Sequence, residues 1–200
     1  MLVLPALADM KILAISDTID RSLYEGFDRD RWRDVEMVIS CGDLLPEYLD
    51  FLGTTLRCPV LYVRGNHDAA YPPDAYDGAV NLHGRVWQGM GLTVVGFEGS
   101  RWYNGRNLQY SERQMRWRVW RATRRLATVD IVVTHAAPLG CQDRPDQCHT
   151  GFACYRTLIE RTHPKLFVHG HSHLYGTEPR TVQLGATAMV NAYGHCLLTI

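Results

Sequence analysis

Several protein classes are excluded by what this chain lacks. No apolar run approaches the ~20 residues that a helix needs to cross a bilayer. No C-x-x-C pair occurs among the six cysteines at 41, 58, 141, 148, 154 and 196, so neither a zinc ribbon nor a thioredoxin-type redox motif fits. Charge of either sign is not in excess, because 21 Lys and Arg balance 21 Asp and Glu over 200 residues. A general polyanion binder carries a basic surplus, so bulk nucleic-acid binding gains no support. Repeats, low-complexity tracts and linkers are missing as well. What remains is the expectation of one domain over residues 1–200, reduced and cytoplasmic. Residues 1–9 read as a short N-terminal extension, with Met10 as an alternative start. Ala6-Leu7-Ala8 has the look of a cleavage site, but the apolar run before it is short and no basic residue precedes it.

What the chain does have is histidine, nine of them, and apolar residues at 46%. The apolar runs Lys11 to Ser16, Val35 to Ser40 and Pro59 to Val63 read as buried strands separated by helical spacings. That alternation predicts a parallel sheet with right-handed crossovers. Val80 to Leu82, Val86 to Gln88 and Leu92 to Phe97 are short and punctuated by glycine, which predicts antiparallel strands. Residues 111–127 read as a helix opened by a capping box of Ser111 and Gln114. Val129 to Thr134, a helix over Phe152 to Arg161, and Leu166 to Val168 follow. Short strands around Val182 to Leu184, Thr187 to Val190 and Cys196 to Ile200 close the chain.

Five polar clusters each follow an apolar strand: Asp17, Gly42-Asp43, Gly65-Asn66-His67-Asp68, Thr134-His135, and Gly170-His171-Ser172-His173. The C-terminal strand ends of a parallel sheet line its ligand crevice, so one sheet would gather all five. Carboxylates and imidazoles together suit divalent transition metals. Buried Asp and His without partners or metal would be costly. Asp43 is the candidate to bridge two cations through its two oxygens, and His171 and His173, two residues apart, share one side of an extended segment. Glycines at 42, 65 and 170 are expected to let the backbone turn beside the ligands.

In these motifs the chain resembles the calcineurin-like metallophosphoesterases, whose pattern runs D-x-H, GD, GNH-D/E, a later H and GHxH. The resemblance spans residues 11–173 and implies a mixed α/β (α+β) fold, a four-layer α-β-β-α sandwich with two mixed β-sheets flanked by helices. It implies two divalent cations, manganese, iron, zinc or nickel. Asp17, Asp43 and His173 would hold one, and Asp43, Asn66, His135 and His171 the other. It also implies hydrolysis of a phosphodiester or phosphomonoester by a metal-bound hydroxide, with the cations about 3.5–4 Å apart. His67 would protonate the leaving group, and Asp68 would orient His67. The chain departs from the pattern once: Ile19 stands where the family's first His falls, which weakens the first cation site. Asp20, one residue further along, is a poor geometric substitute.

Four weaker candidates flank this set. The loop Gly99 to Asn104 would bring Arg101 onto a substrate phosphate, or pack as an ordinary surface loop. His149, in the loop after His135, would touch substrate or metal, or sit in a turn with Asp143 and Asp146. Cys141, Cys148 and Cys154 flank His149 at spacings that match no standard zinc pattern. The arginines of 111–127, Arg121 and Arg124 among them, would serve a nuclease, or form a solvated face. The expected partner is a small phosphoester, a nucleotide included, with no membrane and no bulk nucleic acid. The competing readings are a nuclease and a non-catalytic protein-binding scaffold on the same fold, as in the retromer subunit.

Overall fold

The apolar runs become strands because both of their faces are covered. The computed structural model describes residues 10–72 and 75–200, so the expected N-terminal extension lies outside the described residues. In chain order the elements are β1 (Lys11–Ser16), α1 (Arg29–Trp32), β2 (Met37–Ser40), α2 (Pro46–Leu56), β3 (Val60–Tyr62), β4 (Val80–Asn81), β5 (Val86–Gly89) and β6 (Leu92–Phe97). They continue as β7 (Ser100–Arg101), β8 (Gln109–Tyr110), α3 (Glu112–Thr123), β9 (Ile131–Thr134), α4 (Ala153–Thr162), β10 (Leu166–His169), β11 (Thr181–Leu184), β12 (Thr187–Asn191) and β13 (Gly194–Thr199).

One sheet has the order β13-β1-β2-β3-β4 and a second β11-β12-β10-β9-β6-β5, both mixed. Side-chain alternation then builds three cores. Ile12, Ala14, Met37, Ile39 and Leu61 of the first sheet meet Val94, Ile131, Val133 and Val168 of the second. Leu13, Ile15, Val38 and Tyr62 face outward onto Trp32 of α1 and Tyr48, Leu49 and Leu52 of α2. Val95, Phe97, Val132 and Phe167 face outward onto Met115 and Val119 of α3 and Tyr155, Leu158 and Ile159 of α4. Three cores between four layers is the α-β-β-α sandwich that the resemblance implies.

Three expectations need correction. The polar clusters end strands of two facing sheets, with β1, β2 and β3 in one and β9 and β10 in the other. β4 pairs parallel with β3 rather than antiparallel, with Leu61 opposite Val80 and Tyr62 opposite Asn81. Helix α3 stops at Thr123, short of the expected 127. Thr123 turns its hydroxyl back onto the Val119 carbonyl, and Arg161 of α4 donates to the Thr123 carbonyl, so the helix end is satisfied from outside. The two helices cap one another. Glu112 in the first turn of α3 accepts the Ala153 and Cys154 amides at the start of α4, which has no side-chain cap of its own.

At the strand ends the two sheets are tied by a charge pair that sequence spacing does not reveal. Arg64, just past β3, makes a two-pronged bond to Glu98, just past β6, at 2.9 and 3.2 Å. The Tyr110 hydroxyl donates to Glu98 at 2.6 Å, and Arg64 also donates to the Tyr71 carbonyl. The Glu98 side chain is 4% exposed, so removing it strands a charge in the interior. Glu98→Ala is expected to lower stability by about 3–5 kcal/mol, read as a urea midpoint shift at unchanged slope. A shift under about 1 kcal/mol would mean that the pair behaves as a surface bridge.

Candidate metal centre

Beyond each strand end the chain turns abruptly, and three of the candidate ligands carry the turn themselves. Asp17, Asp43 and His171 have φ of 65°, 57° and 64°, the left-handed region that costs a non-glycine residue of order 1–3 kcal/mol. The neighbouring glycines answer mostly to crowding. Only Gly42, at φ 96°, needs the left-handed region, whereas Gly65 and Gly170 serve close approach. A Cβ on Gly65 would stand 2.0 Å from Asp43 Oδ1, and one on Gly170 would stand 1.9 Å from Ser16 Oγ and 2.6 Å from Asp17 Oδ2. The backbone of one cluster thus presses against the carboxylate of another.

The same carboxylates are aimed by backbone amides. The His67 amide donates to Asp43 Oδ1 at 2.7 Å, and the His171 amide donates to Asp17 at 3.0 Å. Asp68 takes a different place from the one expected. Its Oδ2 accepts the Gly65 amide at 2.7 Å and the Asp43 amide at 2.8 Å, and no bond to the His67 ring is found among the described residues. Being buried and beside Asp43, its carboxyl is pushed up to about 6. It staples the turn that carries Asp43 to the turn that carries Asn66 and His67.

His135 is fully buried and shows what the centre is built to hold. Its Nδ1 lies 2.7 Å from the Cys41 carbonyl, which can only accept, so Nδ1 carries a proton. Its Nε2 faces Asn66 Oδ1 at 2.9 Å and Asp43 Oδ2 at 3.4 Å. The Asn66 amide nitrogen points away, to the Tyr103 hydroxyl. A ring nitrogen and two oxygens therefore converge with no donor supplied from outside. Without a cation a second proton must sit on His135. Burial opposes that charge, but the adjacent Asp43 carboxylate overrides it and raises the ring to about 9. The ring in turn holds Asp43 down at about 2, against the effect of burial. A divalent cation satisfies the same three atoms, so the donor set fits one.

His171 completes the group. Its ring centroid lies 4.7 Å from that of His135, and donor atoms of Asp43, His135 and His171 all fall within 4.8 Å of one another. Its Nε2 is fixed by the Cys148 carbonyl at 2.7 Å, and burial, with His135 nearby, drives its pKa down to about 3, so the ring stays neutral as a ligand must. His173 Nε2 lies 3.9 Å from Asp17 Oδ1, its ring packed on Tyr193 at 4.6 Å. The segment is pinned by Asn191 Nδ2 on the Ser172 carbonyl and by Arg144 on the His173 carbonyl.

Asp17, Asp43, Asn66, His67, His171 and His173 line one cavity of about 410 Å³, with His135 buried behind Asn66. A second cavity of about 420 Å³ shares Asp17, Asp43 and His67 and adds Ile19, Asp68 and Tyr71. Ile19 thus stands in the wall beside Asp17, packed partly on the core under α2. Asp20 caps the following turn through Ser22 and pairs with His195 at 2.9 Å, so it does not take the missing ligand's place.

The flanking candidates divide. Arg101 lies outside both cavities and donates to the Gly151 carbonyl. From its loop it is Tyr103 that reaches the site. His149 lines the first cavity, its ring 4.8 Å from that of His171, with Cys148 beside it. Arg121 and Arg124 stack on Trp117 and Trp120 of their own helix and line neither cavity. Tyr103 was among the aromatics of the loop raised from the sequence and Cys148 among the cysteines flanking His149, though neither was singled out; Tyr71 carried no signal in the sequence.

Residues 10–194 match the calcineurin-like phosphoesterase superfamily domain, and the chain belongs to that superfamily. Its members are in general metal-dependent phosphoester hydrolases that typically hold two divalent cations. One solved structure shows the same fold at low identity. TT1561 of Thermus thermophilus is 18% identical with a TM-score of 0.66, covering 93% of this chain and 90% of its own. An archaeal phosphodiesterase is 13% identical with a TM-score of 0.49, over 96% of this chain and 100% of its own. No curated protein sequence matches the chain.

Gly65→Ala tests the crowding directly, because the new methyl must displace the Asp43 carboxylate. It is expected to weaken manganese binding at least about tenfold in calorimetric titration while unfolding stays cooperative. Unchanged affinity would show that Asp43 need not sit where it does.

Proposed function

We propose that this chain hydrolyses phosphoesters at a centre of two divalent cations, manganese, iron, zinc or nickel, and that it prefers diesters. The convergence of Asp43, Asn66 and His135 without a donor carries the reading. Bound cations there supply Lewis-acid charge to phosphoryl oxygens and acidify water. The chain's own residues do the rest. His135 and Asn66 sit buried together beside Asp43, and Asp17 lies beside His173. We assign the first group with His171 to one cation and Asp17, Asp43 and His173 to the other, with Ile19 leaving the latter one ligand short.

His67 is exposed and lines both cavities, its backbone amide anchored on Asp43 and its ring free to meet a leaving oxygen. We assign it proton donation to the leaving group, and Asp68 the positioning of the turn that carries it. The sequence holds no long insertion that could form a separate cap over the cleft, and an open cleft suits a small or extended phosphodiester. A nucleotide is within the class, with the Tyr103 and His149 rings lining one cavity. All six cysteines are free, as suits a reducing cytoplasm, and no helix among the described residues is long and apolar enough to cross a membrane. Residues 1–200 are taken as one domain.

The test is turnover of bis-p-nitrophenyl phosphate against p-nitrophenyl phosphate, with manganese and with EDTA. Manganese-dependent cleavage favouring the diester is expected, and His67→Ala is expected to lower kcat by about 10²–10⁴-fold with manganese affinity retained. No metal-dependent turnover on either ester would leave a binding scaffold as the function of this fold.

A further inference from the structure

A second set of metal-type donors lies outside the ligands assigned above. Asp146, Cys148 and His149 share one loop after β9, and a carboxylate oxygen, the thiol sulfur and a ring nitrogen lie within 4.8 Å of one another. Cys148 Sγ is 2.9 Å from Asp146 Oδ1 and 3.3 Å from His149 Nδ1, and Nδ1 is 2.9 Å from Oδ1. Bond lengths of about 2.0–2.3 Å to a tetrahedral cation put such donors roughly 3.4–3.6 Å apart. The three need only open by about half an ångström to enclose one.

The surroundings suit an ion that keeps an open position. Cys148 and His149 line the cavity that also holds Asp17, Asp43 and His171, and all three donors are part-exposed or exposed. Three protein ligands and one side open to a cavity is the arrangement of a reactive zinc site rather than a sealed structural one. Sulfur also sets the selectivity. A thiolate favours zinc or cobalt over manganese or magnesium, whereas the ligands assigned above contain no sulfur.

We propose that Asp146, Cys148 and His149 form a third metal site, for a thiophilic divalent cation such as zinc or cobalt(II), on the wall of the phosphoester cleft. Its ligands are the Asp146 carboxylate, the Cys148 thiolate and neutral His149 Nδ1. Binding releases the thiol proton to solvent, one per cation, and nothing is oxidised or reduced. In the cation's absence the same groups bond to one another: the thiol and the His149 amide both donate to Asp146. The site stands independently of the reaction proposed above, although a cation there would add positive charge facing the same cavity.

Cobalt(II) titration of the full chain separates this site from the nitrogen–oxygen centre. Only a sulfur ligand gives a sulfur-to-cobalt charge-transfer band in the near ultraviolet. The expected result is such a band with the intensity of one thiolate–cobalt bond once all cobalt sites are filled, lost in Cys148→Ser, weakened in His149→Ala and kept in Cys141→Ser. The visible cobalt absorption of the nitrogen–oxygen centre should persist in Cys148→Ser, showing that the variant is folded. No charge-transfer band in the unaltered chain, or a band that survives Cys148→Ser, overturns the proposal.

Discussion

The structure turns on three atoms that cannot satisfy one another. His135 Nε2, Asn66 Oδ1 and Asp43 Oδ2 meet in the interior, and the remaining polar atoms of these residues are committed elsewhere. A proton on a fully buried imidazole is one solution, and it keeps an ion pair where water cannot help. A cation is the other. The rest of the molecule makes sense as the scaffold that forces the choice. Asp43 hangs on the first sheet, His135 on the second, and the three cores hold the sheets in register.

Holding those atoms together takes strained backbone and tight contact. Asp17, Asp43 and His171 adopt left-handed conformations that a free chain would abandon. They are held by bonds running between clusters: Asp68 onto Gly65 and Asp43, Asp17 onto His171, Asn191 and Arg144 onto the His171 segment. The Arg64–Glu98 pair does the same one layer out, locking the end of β3 against the end of β6. The strand ends are thus held rigidly while the cleft stays open, with His67 the exposed member of the set.

Much of this was legible in the chain. Strand runs ending in Asp17, Asp43, Asn66-His67, His135 and His171-Ser172-His173 announce the gathered residues, because a parallel strand delivers its last residue to a common edge. What the runs do not announce is which sheet each strand joins. A buried strand shows the same unbroken apolar run in either sheet, so a one-sheet reading of the site was as consistent with the residues as the observed two. Partners distant in sequence were equally hidden. Nothing near Asp68 says that its carboxylate reaches the Asp43 amide, and nothing near Arg64 points to Glu98. Arg101 ends β7 and Tyr103 follows it two residues later, and only the fold decides that the tyrosine faces the cleft.

The most direct measurement is anomalous scattering from crystals soaked in manganese. The account predicts a strong peak coordinated by Asp43, Asn66, His135 and His171, and a weaker one bounded by Asp17, Asp43 and His173 beside Ile19. A saturated soak with no peak at Asp43 and His135 would contradict it, leaving the buried imidazole protonated and the cleft without its chemistry.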